Sequence, residues 1–91
     1  MTSNILIVED DFIIQGEMRL KLEIMGHEVV ATASAADKAI EKAEACRPDI
    51  ILTDIHMPGI DGMETARQIR KIPECLETLI IALTANAFNK Q

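Results

Sequence analysis

Three carboxylates and one hydroxyl are marked by where they fall. Asp54 ends the apolar run Ile50-Ile51-Leu52-Thr53, and a Pro58-Gly59 turn follows. Glu9 and Asp10 end the run Ile5-Leu6-Ile7-Val8, and Thr84 ends Leu79-Ile80-Ile81-Ala82-Leu83. If these runs are parallel strands, their ends meet at one rim, where open α/β sheets hold their ligands. Carboxylates crowded there repel one another, and a divalent cation relieves the repulsion. Hard oxygen donors favour Mg²⁺, with Mn²⁺ or Ca²⁺ as substitutes, over zinc. A carboxylate beside such a cation can act as a nucleophile and become an aspartyl phosphate. The cation would screen the incoming phosphoryl group from the acidic rim, and the Thr84 hydroxyl could donate a hydrogen bond to it.

The elements that would position these groups follow from periodicity. Apolar runs without alternation read as strands covered on both faces, the habit of parallel sheets. The first strand spans Ile5–Val8, and a helix over about Phe12–Met25 follows, with Ile14, Met18, Leu22 and Met25 at helical spacing. Gly16 inside it predicts close packing on the sheet, and Gly26 predicts a left-handed cap. Glu28–Ala31 is a short second strand. Ser34 with Asp37 three residues on has capping-box spacing, ahead of a helix whose Ala36, Ala39, Ile40 and Ala43 form its apolar stripe and which ends near Cys46. Small residues in that stripe imply close approach to the sheet. After the Asp49–Thr53 strand, Asp61 caps a third helix with Glu64 reaching back to it. Met63, Ala66, Ile69 and Ile72 face inward there, and Pro73 closes the element. The Leu79–Leu83 strand leads to the start of a further helix near Ala85. This alternation specifies a three-layer α/β fold, flavodoxin-like, with right-handed crossovers. The second strand ends without acids and is placed at an edge beside the first, giving the strand order 2-1-3-4 and a rim at the switch point between strands 1 and 3.

The chain has 91 residues, enough for one domain over residues 1–91 with its own core. Apolar residues make up 48% but aromatics only 2%, so that core is built from Ile, Leu, Val, Ala and Met. A formal charge of −6 argues against direct binding of nucleic acid or an anionic membrane. Cys46 and Cys75 show neither metal-ligand spacing nor a disulfide framework and read as reduced thiols. Without a secretory signal or a long apolar run, the expected location is cytoplasmic. Asp11 reads as a first-turn acid favourable to the helix dipole, His27 as a solvated side chain, and Met18, Met25 and Met63 as core filling.

Three motifs carry a family resemblance across the whole chain. Val8-Glu9-Asp10-Asp11, Leu52-Thr53-Asp54-Ile55-His56-Met57-Pro58-Gly59-Ile60-Asp61-Gly62 and Leu83-Thr84-Ala85 resemble the receiver domain of two-component response regulators. The interval from Asp54 to Thr84 fits as well. The resemblance implies that Asp54 accepts phosphate from a sensor histidine kinase or phosphotransfer protein. It implies that Asp10, Asp54 and the backbone carbonyl of His56 bind Mg²⁺ directly, with Glu9 acting through water. Thr84 would be the switch hydroxyl, and His56 and Asn86 would influence the lifetime of the phosphate. Such a domain catalyses only its own phosphorylation and dephosphorylation and is not an enzyme in the usual sense.

The resemblance also exposes a departure. Receiver domains carry a fifth strand ending in a Lys, a switch aromatic and a final helix, which have no counterpart in these 91 residues. Lys90, six residues past Thr84, does not fit that Lys by spacing. The fourth strand is therefore expected to form an open edge, through which the chain could form a homodimer. Two alternative functions follow: a truncated receiver that no longer holds phosphate and acts as a dimerisation or binding module, and a Mg²⁺-dependent phosphohydrolase with an aspartyl nucleophile. The second requires another Asp two residues after the nucleophile, where this chain has His56.

Overall fold

Each of the apolar runs forms a strand in the computed structural model, which describes residues 3–54 and 62–83. In chain order the elements are β1 (Asn4–Val8), α1 (Phe12–Ile24), β2 (Glu28–Ala33), α2 (Ala36–Cys46), β3 (Ile50–Asp54), α3 (Gly62–Arg70), a 3-10 turn (Pro73–Cys75) and β4 (Leu79–Leu83). All strand pairs are parallel, in the order β2-β1-β3-β4. This is the flavodoxin-like α/β sheet expected from the alternation of strands and helices.

The two faces of the sheet take alternate residues of each strand. On one face Leu6, Val8, Ala33 and Ile51 are buried with Ala39 and Ala43 of α2, Ile69 of α3, and Ile72 and Cys75 beyond it. The alanines of α2 allow the helix to lie close to the sheet, as their size predicts. On the other face Ile5, Ile7 and Val29 are buried, with Met18 and Leu22 of α1 and Ile50 and Leu52 of β3 packed partly against them. No residue of α1 is fully buried. Ile14 and Met25 are 44% and 68% exposed, so the inward stripe of α1 reduces to Met18 and Leu22.

Of the other local expectations, some are corrected and some are borne out. Gly16 is exposed, and a Cβ there would meet nothing within 4 Å, so it marks no close packing. Gly26 does adopt the positive φ of a helix end, at 94°. Strand β2 runs two residues further than its sequence pattern suggests, to Ala33, pairing with β1 as far as Val8, and its register with β1 slips between Ile5 and Leu6. The cap of α2 is the extended Ala35, which makes no side-chain hydrogen bond, so Ser34 lies one residue too early to cap and Asp37 is simply an acid in the first turn. Pro73 opens the 3-10 turn after α3 has ended at Arg70. His27 is half-buried, and its Nδ1 accepts the Ser3 N–H at 3.4 Å. Cys46 and Cys75 are both free thiols. The capping of α3 by Asp61, the side chain of Met63 and the helix near Ala85 lie outside what is described.

Candidate functional site: the rim between β1 and β3

Strands β1 and β3 lie side by side at the centre of the sheet, and the chain runs from β1 to β2 in one direction and on to β3 in the other. That reversal opens a crevice above their C-terminal ends. The register pairs Val8 with Thr53, so the backbone of Asp54, the last residue of β3, stands level with Glu9. Asp54 also pairs with Leu83, which places Thr84 one residue past the adjacent strand end in sequence. The rim expected from the strand ends is therefore formed by the backbone at Glu9, Asp10 and Asp54. The side chain of Asp54, and His56, Thr84 and Asn86 altogether, lie outside the described residues.

The loop from β1 to α1 is held by a dense set of local hydrogen bonds. The Glu9 N–H donates to Ala33 O at 2.9 Å, continuing the ladder one step beyond the strands. Although charged, Glu9 is buried, and its Oε2 accepts the Asp11 N–H at 3.1 Å. Asp10, next in sequence, is exposed. Asp11 is the N-cap of α1 itself rather than an acid within its first turn: its Oδ1 accepts the N–H groups of Ile13 and Ile14 at 2.8 and 3.2 Å. An Asp directly before a helix start is the signal for that role. The Gln15 side chain, which sequence reasoning passed over, donates from Nε2 to Glu9 O at 3.0 Å. Its place four residues past Asp11, in the first turn, was the available clue.

The donor chemistry suits a hard cation. Glu9 and Asp10 offer carboxylate oxygens only, and the buried Glu9 is engaged with the Asp11 N–H while Asp10 is exposed. Among the described residues no group of three or more His, Cys, Asp or Glu side chains could hold a metal. The third carboxylate expected at the rim, that of Asp54, is not among the described side chains. Thr53, directly before Asp54, is buried, and its hydroxyl finds no hydrogen-bond partner among the described residues. An open cleft of about 350 Å³ lies beside the rim, between the start of α1 and α2, with Phe12, Gln15, Ser34, Lys38 and Lys42 among its lining residues. Lys42 Nζ donates to Thr32 O at 2.6 Å and stitches α2 to the end of β2.

Comparison with known proteins agrees with this geometry. The family model of the response regulator receiver domain matches residues 5–91. The alkaline phosphatase synthesis transcriptional regulatory protein PhoP of Bacillus subtilis is 33% identical over 90 residues, covering 99% of this chain but 37% of that protein. The polar-differentiation response regulator DivK of Brucella ovis is 33% identical over 87 residues, covering 96% of this chain and 70% of DivK. Among solved structures, the receiver domain of the sensor histidine kinase PA1611 from Pseudomonas aeruginosa PAO1, with a magnesium ion coordinated in its active-site cleft, superposes with a TM-score of 0.84. It is 34% identical, and the match covers 99% of this chain and 73% of that one. The chain spans little more than a third of the first curated relatives, 37% of PhoP and 35% of the transcriptional regulatory protein AfsQ1 of Streptomyces coelicolor.

Proposed function

Because this chain belongs to the response regulator receiver family, a family of phosphoacceptor signalling domains rather than conventional enzymes, we propose that Asp54 is its phosphoacceptor. The observation that carries this reading is the register of β1 and β3, which sets the Asp54 backbone level with Glu9 at the central crevice. The Asp54 carboxylate attacks the phosphorus of a phosphohistidine on a histidine kinase or phosphotransfer protein. The new O–P bond forms as the N–P bond breaks, and the imidazole leaves with the bonding electron pair. Asp10, Asp54 and the His56 carbonyl would hold Mg²⁺ directly, and the buried Glu9 would act on it through water. The magnesium ion in the active-site cleft of the PA1611 receiver domain supports the binding of Mg²⁺ by this family. When bound, the cation offsets the charge that the acidic rim presents to the phosphoryl oxygens. Thr84 turns its hydroxyl to the phosphoryl group and so couples the rim to β4. The expected setting is the cytoplasm; no helix among the described residues is long and apolar enough to cross a membrane.

Intact-mass analysis after incubation with Mg²⁺ and acetyl phosphate tests the assignment. One added phosphoryl group is expected, lost in Asp54→Asn and in the absence of divalent metal. An equal adduct on the Asn variant would assign the phosphate elsewhere. No adduct on a folded chain that binds Mg²⁺ would favour the reading of a receiver that no longer holds phosphate.

A second reading, homodimerisation through β4, is favoured by Leu79 and Ile81. They are 53% and 37% exposed on the outermost described strand, in register with Ile50 and Leu52. Light scattering over a concentration series tests it, and a monomer mass throughout would count against it.

A further inference from the structure

We propose that Gln15 is a positioning residue for the cation-binding loop, its side-chain amide fixing the peptide plane between Glu9 and Asp10. The inference rests on the proposed reading of Glu9 and Asp10 as cation ligands. Asp10 stands between two peptide planes, and each is held from outside. The plane before it is held at the Glu9 carbonyl, which accepts Gln15 Nε2 at 3.0 Å. The plane after it is held at the Asp11 N–H, which donates to Glu9 Oε2 at 3.1 Å. Those two planes set the backbone dihedrals of Asp10, and hence the direction in which its exposed carboxylate leaves the loop.

Gln15 grips this loop twice. Its backbone N–H donates to Asp11 O at 2.8 Å while its side chain reaches back past Asp10 to Glu9. The hold matters because α1 buries no residue of its own, so core packing does little to fix the first turn of this helix against the rim. An outer partner that orients a ligand tunes metal affinity without touching the metal. Gln15 also borders the open cleft of about 350 Å³, so an unbranched side chain of similar length fits in its place.

The test is Gln15→Met, which keeps the length and removes the donor, with Gln15→Asn as a second variant too short to reach the Glu9 carbonyl. Mg²⁺ affinity is measured by titration calorimetry on the unphosphorylated full chain, alongside far-UV circular dichroism. The expected result is a Kd weakened about fivefold, the scale of one hydrogen bond, in a folded chain. Labelling by acetyl phosphate should then need more Mg²⁺ to reach half-maximal rate but attain the same plateau. An unchanged Kd in either folded variant, or a lowered plateau at unchanged Kd, overturns the proposal. If the unsubstituted chain itself fails to bind Mg²⁺, the reading of the rim falls instead, so the two failures are distinguishable.

Discussion

The two faces of the sheet are made from alternate residues of the same strands, yet one is far better covered than the other. Among the described residues the α2–α3 face buries nine, from both strands and helices, whereas the α1 face buries three, all from strands. The difference lies in the helices, not the strands. Alanines at positions 39 and 43 let α2 approach closely, and Ile69 and Ile72 extend the cover beyond it. Among the described residues α1 is the one helix on its side, and it touches the sheet mainly through Met18 and Leu22, leaving Phe12, Ile13 and Ile24 about three-quarters exposed. The lesson is that apolar strands do not guarantee a two-sided core; each face is only as dense as the helices laid upon it.

The strongest challenge to this contrast is a matched pair of truncations. Leu6→Ala, on the dense face, is expected to cost about 3–4 kcal/mol in urea unfolding, because the site is closed on all sides and cannot collapse. Leu22→Ala, on the sparse face, should cost about 1–2 kcal/mol, since part of that side chain is already in water. Equal losses would mean that the faces contribute alike. The two glycines of the α1 region sharpen the contrast at a finer scale. A Cβ meets nothing at either position, so space does not separate them; backbone conformation does. Gly26→Ala should destabilise by about 1 kcal/mol because φ is +94° there. Gly16→Ala should stabilise by about 0.5–1 kcal/mol, visible as a raised melting temperature, since Gly16 sits in regular helix facing solvent. A destabilised Gly16→Ala chain would indicate that α1 is more tightly seated than its exposure suggests.

What could be read from the sequence divides along the same line. The apolar runs of β1, β3 and β4 made the parallel sheet legible, and its order followed from β2 ending without acids, which placed it at an edge beside β1. The stripe of α2 was legible because its small residues repeat at helical spacing. The stripe of α1 was only half legible: Ile14 and Met25 have the right spacing, but periodicity reports the direction of a side chain and not whether anything lies in that direction. The capping errors have a similar cause. Ser34 has the right type and spacing, but the backbone becomes helical one residue later than a cap at that position requires. At the rim, residue type identified Glu9 and Asp10, and the register of β1 with β3 brings them level with the Asp54 backbone. Gln15 was missed because a neutral amide in a first turn carries no chemical signature until its partner is seen.

The slip of register between Ile5 and Leu6 acts as a change of phase in β2. Val29 faces α1 beside Ile5, and under strict alternation Ala31 and Ala33 would face the same way. One surplus residue, Val30, reverses the parity, so that Ala31 and Ala33 are turned under α2 while Thr32 falls between them. The slip also decides which carbonyl receives the Glu9 N–H: with it the ladder arrives at Ala33, whereas an unslipped register continuing from Ile5 and Val29 would bring up Thr32, whose oxygen already accepts from Lys42. A slip at the far end of β2 thus sets which carbonyl seats the acidic loop. Because Val30 is the surplus residue, removing it would let β2 pair with β1 without a slip and still bring Ala33 to the Glu9 N–H.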